Sequence, residues 1–364
     1  MLTKLRLAAH SKGDRPSDTI MTMYPEAEQI KKIITDANII VIVQADNPDA
    51  DSLGSALALE QILGDLGKDP YLYCAVDIPT YLRYMSGWDR LNRDLPKQFD
   101  ASIIVDASTM TLLEKLNQSG QQGWLANKPC IVLDHHQTVE NPVSFATVTI
   151  NDHTRASAGE LIYVLTQQFK WPLALAAKEY ITSSILGDTQ GLTNSLASAE
   201  TYRIIADFVE SGVDRPALEE LRRAYGKMPP EIYRYKAELI KRTEFSDNGR
   251  IASVIIPQTE IHEFSPLYNP APLIQNDMLQ TTDVAVAIVF KQYDDGRVTG
   301  AIRCNPTAPI GGQLAEHLGG GGHAFASGFK VTDGRSVSAI KTDCLTFATD
   351  LLNKLHAEKS DEAV

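Results

Sequence analysis

The chain has 364 residues, 43% hydrophobic and 22% charged, an ordinary globular composition in a length that suggests two domains rather than one core. Its net charge of 34 − 46 = −12 argues against a broad basic face for long nucleic acid, but leaves room for a small anionic substrate held by a local cluster and metals. No apolar run approaches the roughly 20 residues needed to span a bilayer, so no membrane association is expected.

Met1 to Asp18 is basic, then polar, and lacks the apolar centre of a signal peptide, which points to a soluble cytoplasmic protein. Residues 1–23 are expected to be a mobile extension. Pro25 to Ala37 reads as a helix with Ile30, Ile33 and Ile34 on one face. Asn38 to Val43 is a continuous β-branched run, as in a strand covered on both faces of a parallel sheet. Asp46 to Ser55 then opens a helix, and further strands are expected near Pro70–Cys74, Ser102–Val105 and Cys130–Leu133. Alternating strands and helices predict an α/β fold, an N-terminal doubly wound parallel sheet with ligands at the carboxyl ends of its strands. Two helices follow, Ser157–Gln167 and Leu173–Leu186.

The expected domain boundaries are 24–202 for this first domain, 203–243 for a helical connector broken by Pro216 and Pro229-Pro230, and 244–356 for a smaller α/β domain. The last has strands at Ile251–Ile256, Asp283–Lys291, Arg297–Cys304 and Ser327–Val331, with a tail at 357–364. Cys74, Cys130, Cys304 and Cys344 lie far apart in apolar contexts and read as buried thiols.

Several strand and helix ends deliver carboxylates. Asp49 and Asp51 stand two residues apart at a strand-to-helix turn, Asp106 and Asp134 each follow an apolar strand, and Asp188 ends a helix. Singly, each is what a helix cap or loop would carry. Together, with His135 and His136 beside Asp134, they are not explained by capping, and carboxylates with imidazole suit Mn²⁺ or Mg²⁺ rather than a thiolate zinc site. Gly319 to Gly322, followed by His323, is dense in backbone N–H groups that could face an anion, or is a helix C-cap and turn. Arg303, ending a predicted strand, is a candidate phosphate clamp.

In this order the motifs resemble the DHH phosphoesterase superfamily over nearly the whole chain after the extension. Asn47 to Ser55 is similar to its first motif, Asp106 to the second, Asp134-His135-His136 to the third and Gly187-Asp188-Thr189 to the fourth. Gly319 to His323 with Ala326-Ser327-Gly328 resembles the signature of the DHH-associated C-terminal domain. The best-fitting subfamily is that of short two-domain oligoribonucleases (nanoRNases) and bisphosphonucleotide phosphatases.

The resemblance implies two Mn²⁺ ions, with Mg²⁺ as an alternative. Asp51, Asp106, His135 and Asp188 would hold one, and Asp49 with the bridging Asp106 the other. It further implies catalytic roles for His136 and Asp134. Arg303, Gly320, Gly321, Gly322 and His323 would grip the substrate's phosphate, with closure across the connector. Substrates would be short RNA, linear or cyclic dinucleotides or 3′,5′-bisphosphonucleotides, with a homodimer compatible with the family. One position departs from the pattern. Ala45 stands where a metal-ligand histidine is usual, with Gln44 and Asp46 as conceivable substitutes. This keeps open a nucleotide-binding protein with weakened hydrolysis, and an inorganic pyrophosphatase stands as a third reading.

Overall fold

β-branched chain stiffens into strands, and here it does so at the centre of a parallel sheet. β1 (Ile39–Val43), β2 (Asp69–Tyr73), β3 (Ala101–Val105), β4 (Cys130–Asp134) and β5 (Val148–Asn151) pair in parallel in the order β2-β1-β3-β4-β5. The computed structural model describes residues 24–136, 141–264, 269–322 and 324–361, which divide into two units between Tyr225 and Gly226. The expected extension at 1–23 and the end of the expected tail lie outside the described residues.

Successive strand residues point to opposite faces, and both faces are covered. Ile40, Ile42, Ile103, Ile131 and Leu133 pack with α1 (Ala27–Asp36), α2 (Ala50–Asp65) and α5 (Ala158–Phe169). Val41, Val43, Ile104 and Val132 pack on the other side with Leu116 of α3 (Glu114–Gln118) and Leu125 of α4 (Gln122–Ala126). This is the doubly wound arrangement. β5 escaped the sequence because Val148, Thr149, Ile150 and Asn151 alternate buried and exposed on an edge strand, giving no continuous apolar run.

α6 (Leu175–Asp188) lies against α2, and both expose glycine at the contact. A Cβ at Gly54 would stand 2.7 Å from the Tyr180 carbonyl oxygen, and one at Gly187 would stand 2.7 Å from Ala50 Cβ. The two backbones therefore meet directly, which brings the start of α2 to the end of α6. α7 (Ala199–Glu210) and α8 (Arg215–Tyr225) complete this unit.

In the second unit α9 (Pro230–Arg242) packs Ile232, Tyr235 and Leu239 against the sheet together with α11 (Pro270–Leu279). The segment expected as one connector, 203–243, is thus shared between the units. The mixed sheet has the order β10-β11-β9-β8-β7-β6, from β6 (Glu244–Ser246), β7 (Ile251–Pro257), β8 (Val286–Gln292), β9 (Val298–Cys304), β10 (Gly321–Gly322) and β11 (Ala326–Val331). Its other face is covered by α12 (Gly311–His317) and α13 (Val337–Asp361), while α10 (Gln258–Phe264) follows β7. Among the described residues no helix is long and apolar enough to cross a membrane.

Gly54→Val should wedge α2 from α6 and lower unfolding free energy by about 1–3 kcal/mol, the usual range for overpacking, in urea titration.

Candidate metal centre

α2 begins where it does because Asp49 caps it. Asp49 Oδ1 accepts from the Ser52 N–H at 3.0 Å, and Ser52 Oγ accepts from the Asp49 N–H at 2.9 Å. One residue into the helix, Asp51 is fully buried. Its Oδ1 accepts from Ser55 Oγ at 2.9 Å, Ser184 Oγ at 2.6 Å and the Gly159 N–H at 3.2 Å. Its Oδ2 accepts from the Ala158 N–H at 2.8 Å, so the start of α5 is aimed at this carboxylate. Burial alone would raise Asp51, but His135, Ser184 and the Ala158 N–H hold it below the usual carboxylate value.

Asp134 ends β4 and is committed to neighbours. Ser108 donates to its Oδ2 from both N–H and hydroxyl, and Oδ1 accepts from the His135 N–H at 2.8 Å and from His136 Nδ1 at 2.7 Å. Burial opposes its charge, yet the bonds from His136 and Ser108 hold it far below the ordinary value. Asp134 thus orients His136 and the turn. Those bonds to Asp134 lift His136 above its ordinary value, against some burial.

His135 is the centre of the cluster. Its Nδ1 lies 3.2 Å from the Arg155 carbonyl, and a carbonyl can only accept, so Nδ1 carries a proton. Nε2 then faces three carboxylates, Asp188 Oδ2 at 2.9 Å, Asp51 Oδ2 at 3.3 Å and Asp106 Oδ1 at 3.7 Å. None of these approaches has hydrogen-bond geometry, and His135 Nε2 and Asp106 Oδ1 are both buried without a partner. Asp106 sits just past β3 at φ 55°, in the left-handed region.

The charges are frustrated. Burial, then Asp51, Asp49, Asp188 and Asp134, push Asp106 well above the usual carboxylate value. Burial and then Asp51 raise Asp188 to about 6, and burial and then Asp51 also raise Asp49. Burial opposes a charge on His135, but Asp188 and Asp51 hold the imidazole up to about 11. Asp51, His135 and Asp188 form one set with donor atoms within 4.8 Å of one another, and Asp106, His135 and His136 form a second. Donors of this kind around an orphaned imidazole nitrogen fit a divalent cation, which would supply the positive charge they lack.

Ala45 is buried in an apolar cluster with Val43 and Ala107. Of the two conceivable substitutes, Asp46 accepts from the Lys115 N–H at 2.7 Å, and Gln44 is wholly buried with neither amide atom partnered.

In the second unit Arg303 pairs across strands with Ala326 and has no carboxylate partner among the described residues. Gly319 (φ 73°) and Gly320 close the end of α12 by donating to the Glu316 and Ala315 carbonyls. Cβ atoms at Gly320 and Gly322 would stand 2.1 Å from the Gly328 carbonyl oxygen and 2.7 Å from Ser327 Cα, whereas Gly321 faces open space. The glycine run is therefore a strand laid tightly on β11 as well as a turn. His323 lies outside the described residues.

Residues 39–187 match the family model described as "DHH family, N-terminal domain". The chain carries a DHH-family domain. Its triplet is Asp134-His135-His136, and the matched segment contains all the cluster's donors except Asp188, the next residue. The chain is 26% identical over 302 residues to the bifunctional oligoribonuclease and PAP phosphatase NrnA of Thermus thermophilus, covering 79% of this chain and 83% of that protein. An exopolyphosphatase-related protein from Bacteroides fragilis shares the fold at TM-score 0.77 and 21% identity, over 90% of this chain and 97% of that one. RecJ from Thermus thermophilus, solved with Mn²⁺, matches at TM-score 0.54 and 17% identity over 92% of this chain and 56% of its own.

The DHH domain's motifs were legible, but its supports were not. Ser55 and Ser184 lie four residues from Asp51 and Asp188 on the same helices, a spacing that flags them, whereas Ser108 and the Arg155 carbonyl leave no trace in sequence.

Because cation and proton compete for these donors, Mn²⁺ uptake should release protons, and affinity should fall as pH drops through the Asp188 value of about 6. Calorimetry in buffers of different ionisation enthalpy across pH 5–8 measures both.

Proposed function

We propose that this protein is a metal-dependent phosphoesterase that hydrolyses short oligoribonucleotides, linear or cyclic dinucleotides or 3′,5′-bisphosphonucleotides, with Mn²⁺ as its ion and Mg²⁺ as a substitute. The observation that carries the reading is His135, its Nδ1 bonded to the Arg155 carbonyl and its Nε2 ringed by Asp51, Asp106 and Asp188. The name of the Thermus relative, an oligoribonuclease and PAP phosphatase, supports the substrate class.

Asp51, His135 and Asp188 would hold one cation, with Asp106 and Asp49 reaching toward a second. Such cations supply a water of lowered pKa and positive charge opposite the phosphoryl oxygens. The protein's own part is positional and acid–base. Burial and then the neighbouring carboxylates raise Asp106 above the usual carboxylate value, and a cation among them would favour its charged form. His136, half-buried and held by Asp134 through Nδ1, presents Nε2 as the donor for the departing oxygen. Asp134 acts through His136. Arg303, lacking a carboxylate partner, and the glycine strand at 320–322 would hold the substrate's terminal phosphate, together with His323. Such local capture reconciles a net charge of −12 with an anionic substrate.

A second reading, nucleotide binding with weakened hydrolysis, is favoured by one observation: Ala45, four residues before Asp49, carries only a methyl and is buried in an apolar cluster. Ala45→His decides between them, since activity that first emerges in the variant supports the weakened site, and activity already present in the parent supports the enzyme.

The direct test is Mn²⁺-dependent release of mononucleotides from a 5′-phosphorylated RNA dinucleotide, abolished by Asp106→Ala. His136→Gln should lower kcat by about 10²–10⁴-fold. It should also remove the alkaline fall in rate, because the raised His136 works only while protonated and is lost as pH climbs past its shifted value. Intact turnover in Asp106→Ala would refute the reading.

A further inference from the structure

The acceptor that fixes the His135 tautomer belongs to a residue whose own side chain is deeply buried. Arg155 is 3% exposed, on the turn between β5 and α5. Its guanidinium is packed among acids: Nε lies 3.2 Å from Asp152 Oδ2, and Nη1 lies 3.4 Å from Glu160 Oε1 and 3.1 Å from Glu200 Oε2. Nε also donates to Tyr24 Oη at 3.1 Å, and that phenol donates to Asp152 Oδ2 at 2.6 Å. Glu160 is itself buried and accepts from Thr201 Oγ1 at 2.7 Å.

Burying an arginine with several carboxylates seldom adds net stability, because desolvation offsets the attraction, so the assembly calls for another explanation. Its position supplies one. Residues 155–159 touch two of the cluster's donors through backbone alone. The Arg155 carbonyl accepts from His135 Nδ1–H, and the Ala158 and Gly159 N–H groups donate to Asp51. A carbonyl and two amides on five successive residues thus set the direction of an imidazole and a carboxylate that share one face of the site. Rotation of this short turn would move both together. Arg155 ties the turn to the start of α1 through Tyr24, to the first turn of α5 through Glu160 and to the first turn of α7 through Glu200.

From this geometry we infer that Arg155 is a positioning residue for the metal centre: its buried ion cluster with Tyr24, Asp152, Glu160 and Glu200 locks the 155–159 turn, which holds His135 and Asp51 in their binding orientation. The inference rests on the cluster binding a divalent cation, but not on any substrate.

The test is Mn²⁺ affinity of the metal-free full chain, by calorimetry, for the parent, Arg155→Lys, Glu200→Gln and Tyr24→Phe, with thermal unfolding of each metal-free protein alongside. Disturbed support of a metal ligand should weaken affinity by about 10–100-fold in Arg155→Lys, with smaller losses in the other two. A purely structural role would lower the unfolding temperature and leave the affinity of the folded protein unchanged.

Should Arg155→Lys fail to fold, Glu200→Gln and Tyr24→Phe decide, since each removes one partner and keeps the guanidinium. Parent-like Mn²⁺ affinity in the folded variants would overturn the positioning role while leaving the metal centre intact. A parent protein that takes up no Mn²⁺ would remove the metal centre itself, and this inference with it.

Discussion

An imidazole with one nitrogen tied to a carbonyl and the other surrounded by buried carboxylates demands positive charge, and everything around His135 depends on that demand. Without a cation, protons fill the role: His135 is pushed up to about 11 and Asp188 to about 6. Shifts of this kind, from burial together with specific charged neighbours, are common at functional sites. A divalent ion among these donors would relieve the same crowding.

The fold provides this crowding at low conformational freedom. Parallel strands covered on both faces end at one edge, so Asp106 and Asp134 leave adjacent strands at the same level. Glycine at the α2–α6 contact then brings Asp51 and Asp188, 137 residues apart by their numbers (188 − 51), to the same imidazole. Asp134, saturated by Ser108 and both histidine amides, works as a bracket rather than a donor. The three-residue motif therefore divides its labour: one residue braces, one faces the three carboxylates and one stands half-open beside them.

Much of this was legible because the signals were local. Apolar runs ending in aspartate identified the strands and their working ends, and helical spacing placed Asp51 and Asp188. What stayed hidden were long-range or backbone effects. β5 alternates on an edge, and the glycine run lies as a strand on β11 because Gly320 and Gly322 have no side chain to keep it away. The Arg155 carbonyl has no side-chain identity at all, and Arg155 in a polar loop reads as any surface arginine until its burial is known. At Ala45 the resemblance leads one to expect an imidazole. The structure packs the Ala45 methyl in an apolar cluster and engages Asp46 with the Lys115 N–H.

The central claim is that the space between His135, Asp51, Asp106 and Asp188 belongs to a divalent cation. The measurement that tests it most directly is X-ray diffraction from Mn²⁺-soaked crystals, recorded on both sides of the manganese absorption edge. The account predicts an anomalous peak within coordination distance of His135 Nε2, with Asp51 and Asp188 as further donors and the Nδ1–Arg155 bond kept. Crystals that show manganese only elsewhere, with His135 Nε2 still facing bare carboxylates, would contradict it.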